Sequence, residues 1–345
     1  MEGGRDRTID RVRQILESAG FYVTDAHHVR PTSFDLLARR DALLVILKVL
    51  KNIDALDPSE AERLKALGQL FPASPLVVGQ TSGATELEEG VVYSRYGVSI
   101  VVEESLRDYL LKGLPPFLFS SPGGIFARID GGRLRELRMG RSLSLGALAT
   151  VAGVSRRTIQ LYEEGAGAEV DIVERLEAFL GEPIALALEL FHAPSAPPAR
   201  PAKGAARGES NPAEESDEPA RRSGRSGDLQ RTGDAMRDTV FRQLDGMGWE
   251  VVVTVRCPFD AFTHGATRDA EEILLTSVGS LRTAQHRAEL LMQLARVAEG
   301  HALYVVREPP TRTSIEGLPL VSMEELRRHR DRAELLELLA EREGA

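Results

Sequence analysis

The chain has 345 residues, a formal net charge of −9 and a single cysteine, Cys257. That length predicts two or three domains, and an acidic total argues against a protein that coats nucleic acid over its whole surface. One cysteine excludes an intramolecular disulfide and a cysteine-built zinc site. No basic leader followed by an apolar run opens the sequence, and no window reaches the length of a membrane span. A soluble, cytoplasmic protein with no membrane partner is expected.

Residues up to about Phe119 read as α/β. Ile9, Val12, Ile15 and Leu16 recur at helical spacing and predict an amphipathic helix ending at Gly20. Strand-like runs follow at 21–23, 34–38 and 43–49, then a helix over 59–70 and an apolar strand at 75–78. Short strands at 91–93 and 98–102 and a helix over 104–112 close the segment. Ser121-Pro122-Gly123-Gly124 lacks the lysine of a phosphate loop and reads as a hinge into the next domain.

Residues 133–165, RLRELRMGRSLSLGALATVAGVSRRTIQLYEEG, carry the most information. Leu134 and Leu137 give a first helix one apolar face. Ser144 caps a second helix whose inward positions are Leu148, Ala149 and Val151, and Ala152-Gly153-Val154 supplies a glycine where the chain must turn. Ser155 caps a third helix, with Arg156, Arg157 and Thr158 in its first turn and Ile159 and Tyr162 on its buried side. Two adjacent arginines there can reach phosphate or the O6/N7 edge of guanine. Between Gly132 and Glu164, six arginines face three glutamates, so an acidic chain bears one locally basic segment. That contrast favours selective DNA binding. A helical bundle with a solvated arginine face is the plainer alternative.

The stretch resembles the phage-repressor (Cro-like) class of helix-turn-helix domains from about Arg133 to Leu190. The resemblance implies DNA contacts within the motif 144–163, at Ser144, Ser155, Arg156, Arg157, Thr158 and Leu161. It also implies a structural ion pair beneath the recognition helix, Arg138 with Glu163. One position departs: where the class places a phosphate-holding glutamine at the start of the second helix, this chain has Leu145.

Residues 193–233 are rich in Pro, Ala, Gly, Ser and mixed charge, a composition that cannot build a core and reads as a disordered linker. From Asp234 the design of the first segment recurs: a helix, GWEVVV, Cys257-Pro258-Phe259-Asp260-Ala261-Phe262, EEILLTSVG, a helix over 284–298 and ALYVV. Shared order, with a Phe-Asp in each copy, argues for a diverged duplication. The expected domains are an α/β domain over 1–121, an all-α helix-turn-helix domain over 122–192, the linker 193–233 and a second α/β domain over 234–345.

A Phe-Asp before a strand carrying acid-x-Lys resembles the signature of restriction-endonuclease-like nucleases, in which two carboxylates hold Mg²⁺ and the lysine assists. Asp35 and Lys48 fit two of these roles. Ile46, however, stands where the second carboxylate belongs. In the second copy Asp260 is followed by Leu274, Leu275 and Thr276, without a lysine. Two degenerate nuclease-like domains are therefore expected, with Asp35 and Asp260 pinning strand turns, no catalytic residues and no metal or cofactor. His27-His28 has no partner at metal-ligand spacing. Tyr93, Arg95 and Tyr96 are read either as a binding patch or as edge-strand packing.

Taken whole, the chain resembles a family of archaeal Cro-type transcriptional regulators. The residues that carry the resemblance are SFDLLARRDALLVILKVLKNIDAL, SPLVVG, GVVYSRYGVSIV, GLPPFLFSSPGG and the helix-turn-helix, with CPFDAF and EEILLTSVG more weakly. It implies a non-enzymatic, sequence-specific regulator of transcription that binds double-stranded DNA. Pairing as a homodimer through residues 1–120 is expected, because the helix-turn-helix has little spare apolar surface and the C-terminal domain hangs on a flexible tether. The alternative is a divergent Mg-dependent nuclease, or a DNA repair or restriction component, using Asp35 and Lys48.

Overall fold

Local spacing and capping in the sequence account for most of the elements in the computed structural model, which describes residues 3–25, 32–191, 232–266 and 271–343. His27-His28 and most of the expected linker lie outside the described residues. In chain order the first elements are α1 (Gly3–Ser18), β1 (Tyr22–Asp25), β2 (Leu36–Arg40), β3 (Leu43–Asn52), α2 (Pro58–Leu70), β4 (Ser74–Ser82), β5 (Thr85–Glu86), β6 (Val91–Arg95), β7 (Val98–Val101) and α3 (Glu103–Arg107). Then come β8 (Leu118–Ser121), β9 (Gly124–Arg128), α4 (Gly131–Gly140), α5 (Leu145–Ala152), α6 (Arg156–Glu163), β10 (Gly167–Glu169) and α7 (Val170–Leu180). The C-terminal part holds α8 (Ala235–Gly246), β11 (Glu250–Val253), β12 (Ala261–Ala266), β13 (Glu271–Gly279), α9 (Leu281–Val297), β14 (His301–Val306), β15 (Ser314–Ile315), β16 (Leu318–Ser322), α10 (Met323–Leu326) and α11 (Arg332–Glu343). The architecture is α/β plus all-α.

The chain forms two compact units whose limits do not follow chain order. One contains residues 3–19, 49–69 and 74–191. Here β4 runs parallel to β7, β7 antiparallel to β6, and β6 parallel to β8, which continues antiparallel into β9 and β10. The helix-turn-helix is therefore tied to the α/β part through a continuous sheet. Ser121–Gly124, expected as a hinge, is the tip of the β8–β9 hairpin: Ser121 pairs with Gly124, and both glycines adopt the positive φ that such a tip requires.

The other unit joins residues 20–48 and 70–73 to the C-terminal part. Strands β11, β12 and β13 are successive antiparallel neighbours, β13, β14 and β16 run parallel, and β15 closes on β16. The reason this unit recruits an N-terminal hairpin is legible in α9. Ala284, Ala288, Leu291 and Ala295 are buried along one stripe of this helix, and Leu290, Leu294 and Val297 along a second. A helix apolar on two faces needs two covers. It packs against β13, β14 and β16 of its own sheet and also against β1 and β2. Arg39 donates to the Val297 carbonyl at 3.0 Å and pairs with Glu299, and the Ser33 amide donates to the Arg256 carbonyl at 2.7 Å. The Phe71 ring meets Phe262 edge-on at 4.9 Å and Phe259 at 5.8 Å. The C-terminal domain expected to swing on its tether is thus packed against a hairpin from the first copy.

Phe71 is 4% exposed, and its deletion leaves a cavity beside two aromatic rings, so Phe71→Ala should cost about 3–5 kcal/mol. The only tryptophan, Trp249, is buried in the same unit and reports its unfolding. Urea unfolding followed by Trp249 fluorescence should show a lowered midpoint. An unchanged midpoint would mean that the residues 20–48 and 70–73 share no cooperative core with the C-terminal part.

Candidate nucleic-acid interface

The three helices of the motif are each opened by a side chain that satisfies a free amide. The Asp130 carboxylate accepts from the Arg133 amide at 2.9 Å, Ser144 Oγ from Ala147 at 3.1 Å and Ser155 Oγ from Thr158 at 3.0 Å. Gly153 ends α5 in the left-handed region at φ 72°, turning the chain sharply into α6. Leu134, Leu148, Ala149, Ala152, Ile159 and Tyr162 bury together with Ile172, Val173 and Leu176 of α7, so α7 completes the core that fixes α6. Burial pushes the Tyr162 hydroxyl up to about 12, keeping it protonated and neutral within that core. Gly131 permits the closest approach: a Cβ there would lie 2.5 Å from the Glu163 carbonyl oxygen.

Glu163 is the electrostatic centre of the domain. Its side chain is 2% exposed and accepts from Arg138 Nη2 at 3.1 Å and from Arg135 Nε at 3.3 Å. Arg138 also donates to the Leu143 carbonyl at 3.3 Å, linking α6, α4 and the start of the turn into α5. Burial pushes the Glu163 carboxyl pKa up, but hydrogen bonds from Arg138 and Arg135 outweigh it and hold the group below the usual carboxylate range. The sequence pointed to Arg138 alone. Arg135, three residues earlier on the same helix face, is the partner it missed.

The other arginines divide sharply. Arg133 pairs with Glu182 and Glu136, and Arg141 donates to the Phe179 and Leu180 carbonyls. Arg156 and Arg157, both exposed in the first turn of α6, have no carboxylate partner among the described residues. Arg156 lies across the first turn of α5, its Nε 2.9 Å from where a Cβ on Gly146 would sit. Leu145, in place of the glutamine of the phage-repressor class, packs on the core.

Not every expected contact residue faces outward. Thr158 is 5% exposed, and its hydroxyl lies 2.8 Å from Ser155 Oγ, so both side chains serve the cap. Ser144 is likewise occupied as a cap. Leu161 is half-buried beside Gln160, whose amide donates to Glu164 at 3.2 Å. Gln160 was overlooked in the sequence, although it falls on the same helix face as Arg156 and Arg157.

The nuclease-like positions form a second place to examine. Pairing of Leu36 with Leu47 sets Asp35 directly across from Lys48, and the Asp35 amide donates to the Leu47 carbonyl at 2.8 Å. Both side chains are buried, and Lys48 Nζ reaches the Ser33 carbonyl at 3.4 Å. Ile46 is fully buried where the second carboxylate would stand. Asp41 offers no replacement, because it occupies the β2–β3 turn at φ 52°, about 20 Å of strand from Asp35. In the second copy Ala261 pairs with Thr276, so Asp260 faces Ser277, which occupies the position of Lys48; Leu275 occupies that of Ile46. No group of three or more metal-ligating side chains occurs among the described residues.

Elsewhere, Arg95 is engaged with Asp54, Tyr93 Oη accepts from the Glu88 amide at 2.9 Å, and Tyr96 is exposed at a turn. Cys257 is half-buried. No helix among the described residues is long and apolar enough to cross a membrane.

A family model described as a PD-(D/E)XK superfamily domain matches residues 5–116, and one described as a helix-turn-helix matches residues 134–186. Together they define the class: a nuclease-fold domain followed by a helix-turn-helix domain. A protein of Methanocella arvoryzae, provisionally named an HTH-type transcriptional regulatory protein, is 34% identical over 98% of this chain and 97% of its own length. Relatives of the same provisional name in Halorubrum lacusprofundi and Haloquadratum walsbyi are 33% and 34% identical, covering 99% and 98% of the chain and 98% and 97% of their own lengths. The chain belongs to this archaeal family of HTH-type transcriptional regulatory proteins. No solved structure matches it significantly.

The clamp around Glu163 sets a measurable stability. Removing one partner strands a buried charge, so Glu163→Ala and Arg138→Ala should each cost about 3–5 kcal/mol, with the double variant well short of the sum. A carboxyl whose folded pKa is lowered binds more protons when unfolded. Its contribution is therefore complete above the ordinary value of 4.5 and vanishes as pH falls through the lowered folded value. Melting of the full chain between about pH 3 and pH 7 should show a steeper acid loss for the native protein than for Glu163→Gln. Additive losses, or parallel pH curves, would show that the pair does not interact.

Proposed function

We propose that this protein is a cytoplasmic, sequence-specific DNA-binding regulator of transcription that reads the major groove through α6 in the manner of Cro-type domains. One observation carries the proposal: Arg156 and Arg157 are exposed at the start of α6 and have no carboxylate partner among the described residues, while the other four arginines of the motif are occupied within the domain. Long donors at the N-terminus of such a helix are the groups that meet phosphates and base edges.

The two arginines divide these roles. Arg157 reads a guanine edge, with Gln160 and Leu161 beside it. Arg156, laid over Gly146 at the start of α5, holds the backbone phosphate that the missing glutamine would hold. The caps Ser144 and Ser155 frame the surface without reading it.

Pairing of two copies on a pseudo-palindromic site places two α6 helices about one turn of DNA apart. With β1 and β2 covered by α9, the pairing surface falls to other parts of residues 3–120. Of the plan expected from the sequence, 122–192 binds DNA and 234–345 follows the linker 193–233, while half-site spacing is set by the parts of 1–121 that share a compact unit with the helix-turn-helix, residues 3–19, 49–69 and 74–121.

Footprinting of the full chain on its operator tests these assignments. Arg157→Ala should weaken operator binding by about 1–3 kcal/mol and relax the preference at one base position. Arg156→Ala should weaken specific and non-specific binding alike and reduce the salt slope by about one. Protection should span two half-sites. An unchanged footprint from the double alanine variant would show that α6 does not bind DNA, and protection of one half-site only would exclude pairing.

We also propose that neither copy cleaves DNA. One carboxylate per copy cannot hold Mg²⁺ at nuclease strength, and Ile46 and Leu275 stand where the second would be. Plasmid, single-stranded and branched DNA incubated with the full chain and Mg²⁺ or Mn²⁺ should remain intact. Cutting abolished by Asp35→Ala would make the protein a divergent nuclease built on Asp35 and Lys48.

A further inference from the structure

The second nuclease-like copy has lost the lysine position to Ser277, yet the place is not apolar. Asp260 faces Ser277 across β12 and β13, and Ser277 pairs with Tyr304 on β14, so the three residues form a row across the sheet. Asp260 is spoken for: one oxygen accepts from the Val278 amide at 2.8 Å, and the other lies 3.2 Å from Arg237 Nη2. Ser277 and Tyr304 are fully buried, and neither hydroxyl has a hydrogen-bond partner among the described residues. A buried hydroxyl left without a partner is costly, so two side by side invite a ligand.

The surroundings supply positive charge and donors. Tyr304 Oη reaches to 2.5 Å from where a Cβ on Gly279 would sit, so only glycine at that position leaves the hydroxyl its space. Thr283, in the first turn of α9, lies 3.8 Å from the same point, and Ser280 caps the helix. Arg287 follows Thr283 by one turn on the same helix face, is half-buried and has no carboxylate partner among the described residues. Burial pushes the Tyr304 hydroxyl pKa up, while the Arg287 guanidinium, the Thr283 hydroxyl and the Arg237 guanidinium draw it back. Arg237 also lies 3.9 Å from Asp234, so Arg287 is the guanidinium left without a carboxylate among the described residues. The 17-residue helix α9 adds its positive end, and the C-terminal edge of parallel strands is where ligands of open α/β sheets bind.

We propose that this row is an anion site that takes a phosphate group, bound by Arg287, Arg237, Tyr304 and Thr283 at the start of α9. The chemistry is that of the ancestral place with the sign conserved: where a nuclease neutralises a phosphate with a metal ion, this copy uses guanidinium groups and has nothing to activate water. The phosphate belongs either to the DNA backbone or to a free phosphorylated small molecule. The site is independent of α6 and stands or falls separately from the regulator reading.

Thermal unfolding of the full chain with inorganic phosphate, against chloride at matched ionic strength, is the first arm. A saturable rise in Tm is expected. It should be weakened by about tenfold in apparent affinity in Arg287→Gln and reduced in Tyr304→Phe, as for loss of charge-assisted bonds, and kept in the Arg156→Ala, Arg157→Ala double variant. Unliganded Tm values of the variants report whether they fold. The second arm is the salt slope of binding to non-specific duplex. A slope lowered by about one in Arg287→Gln names DNA backbone as the source, and an unchanged slope with a lost phosphate response names a free ligand. A wild-type protein indifferent to phosphate with an unchanged slope, or folded variants that respond as the wild type does, would overturn the site.

Discussion

The buried carboxylate of Glu163 is the constraint on which the DNA-facing surface depends. It sits at the end of α6, and both its oxygens are held by arginines from α4, one of which also holds the Leu143 carbonyl. An unpaired charge at that depth would cost several kcal/mol, so the three helices are locked in one relative arrangement or not formed at all. The lock also sorts the arginines. Arg135 and Arg138 are consumed beneath α6, Arg133 and Arg141 brace α4 against the end of α7 and the residues after it, and Arg156 and Arg157 are exposed with no carboxylate partner among the described residues. A locally basic segment thus becomes two directed donors rather than a diffuse patch. On the proposed function, such directed donors would favour reading base edges over general adhesion to the backbone.

The two nuclease-like domains share one arrangement around an aspartate and differ in what stands beside it. Each copy has an aspartate opposite the position of the nuclease lysine, and its backbone amide makes the same hydrogen bond in both, Asp35 to the Leu47 carbonyl and Asp260 to that of Thr276. Asp260 further pins the Val278 amide. What diverged is the row beside them, a buried lysine in one copy and hydroxyls with arginines in the other. The helix α9 explains why the copies stayed on one chain. Its second apolar face is covered by β1 and β2, so neither the hairpin nor the C-terminal sheet is complete alone.

Much of this was legible in the sequence, and the part that was not has physical causes. Caps at Ser144 and Ser155 are local events, a side chain bonding an amide three residues on, so they can be read from spacing. Helical periodicity placed α2, α8 and α9 within a few residues and the end of α1, whose polar first turns carry no apolar repeat. Pro-Gly-Gly, by contrast, serves hairpin tips and hinges equally, and only the pairing of β8 with β6 and β9 decides for the tip. Thr158 looks like a contact residue because it follows two arginines, yet a threonine three residues after a serine cap is equally suited to bond it, and burial makes that choice. The cover over α9 lies some 250 residues away in sequence, beyond any local signal. Arg156 over Gly146 depends on a side chain that is missing, which a motif defined by present residues does not record.

On the proposed function, Arg156 and Arg157, which have no carboxylate partner among the described residues, give α6 a sequence preference while the Glu163 clamp holds the helix in place. Selection of bound fragments from a randomised duplex pool tests it most directly, with the native chain and Arg157→Ala run side by side at one salt concentration. The account predicts a guanine-containing motif enriched by the native chain, with preference at one position in each half-site lost in the variant. Enrichment of no motif, or of the identical motif by both proteins, would contradict it.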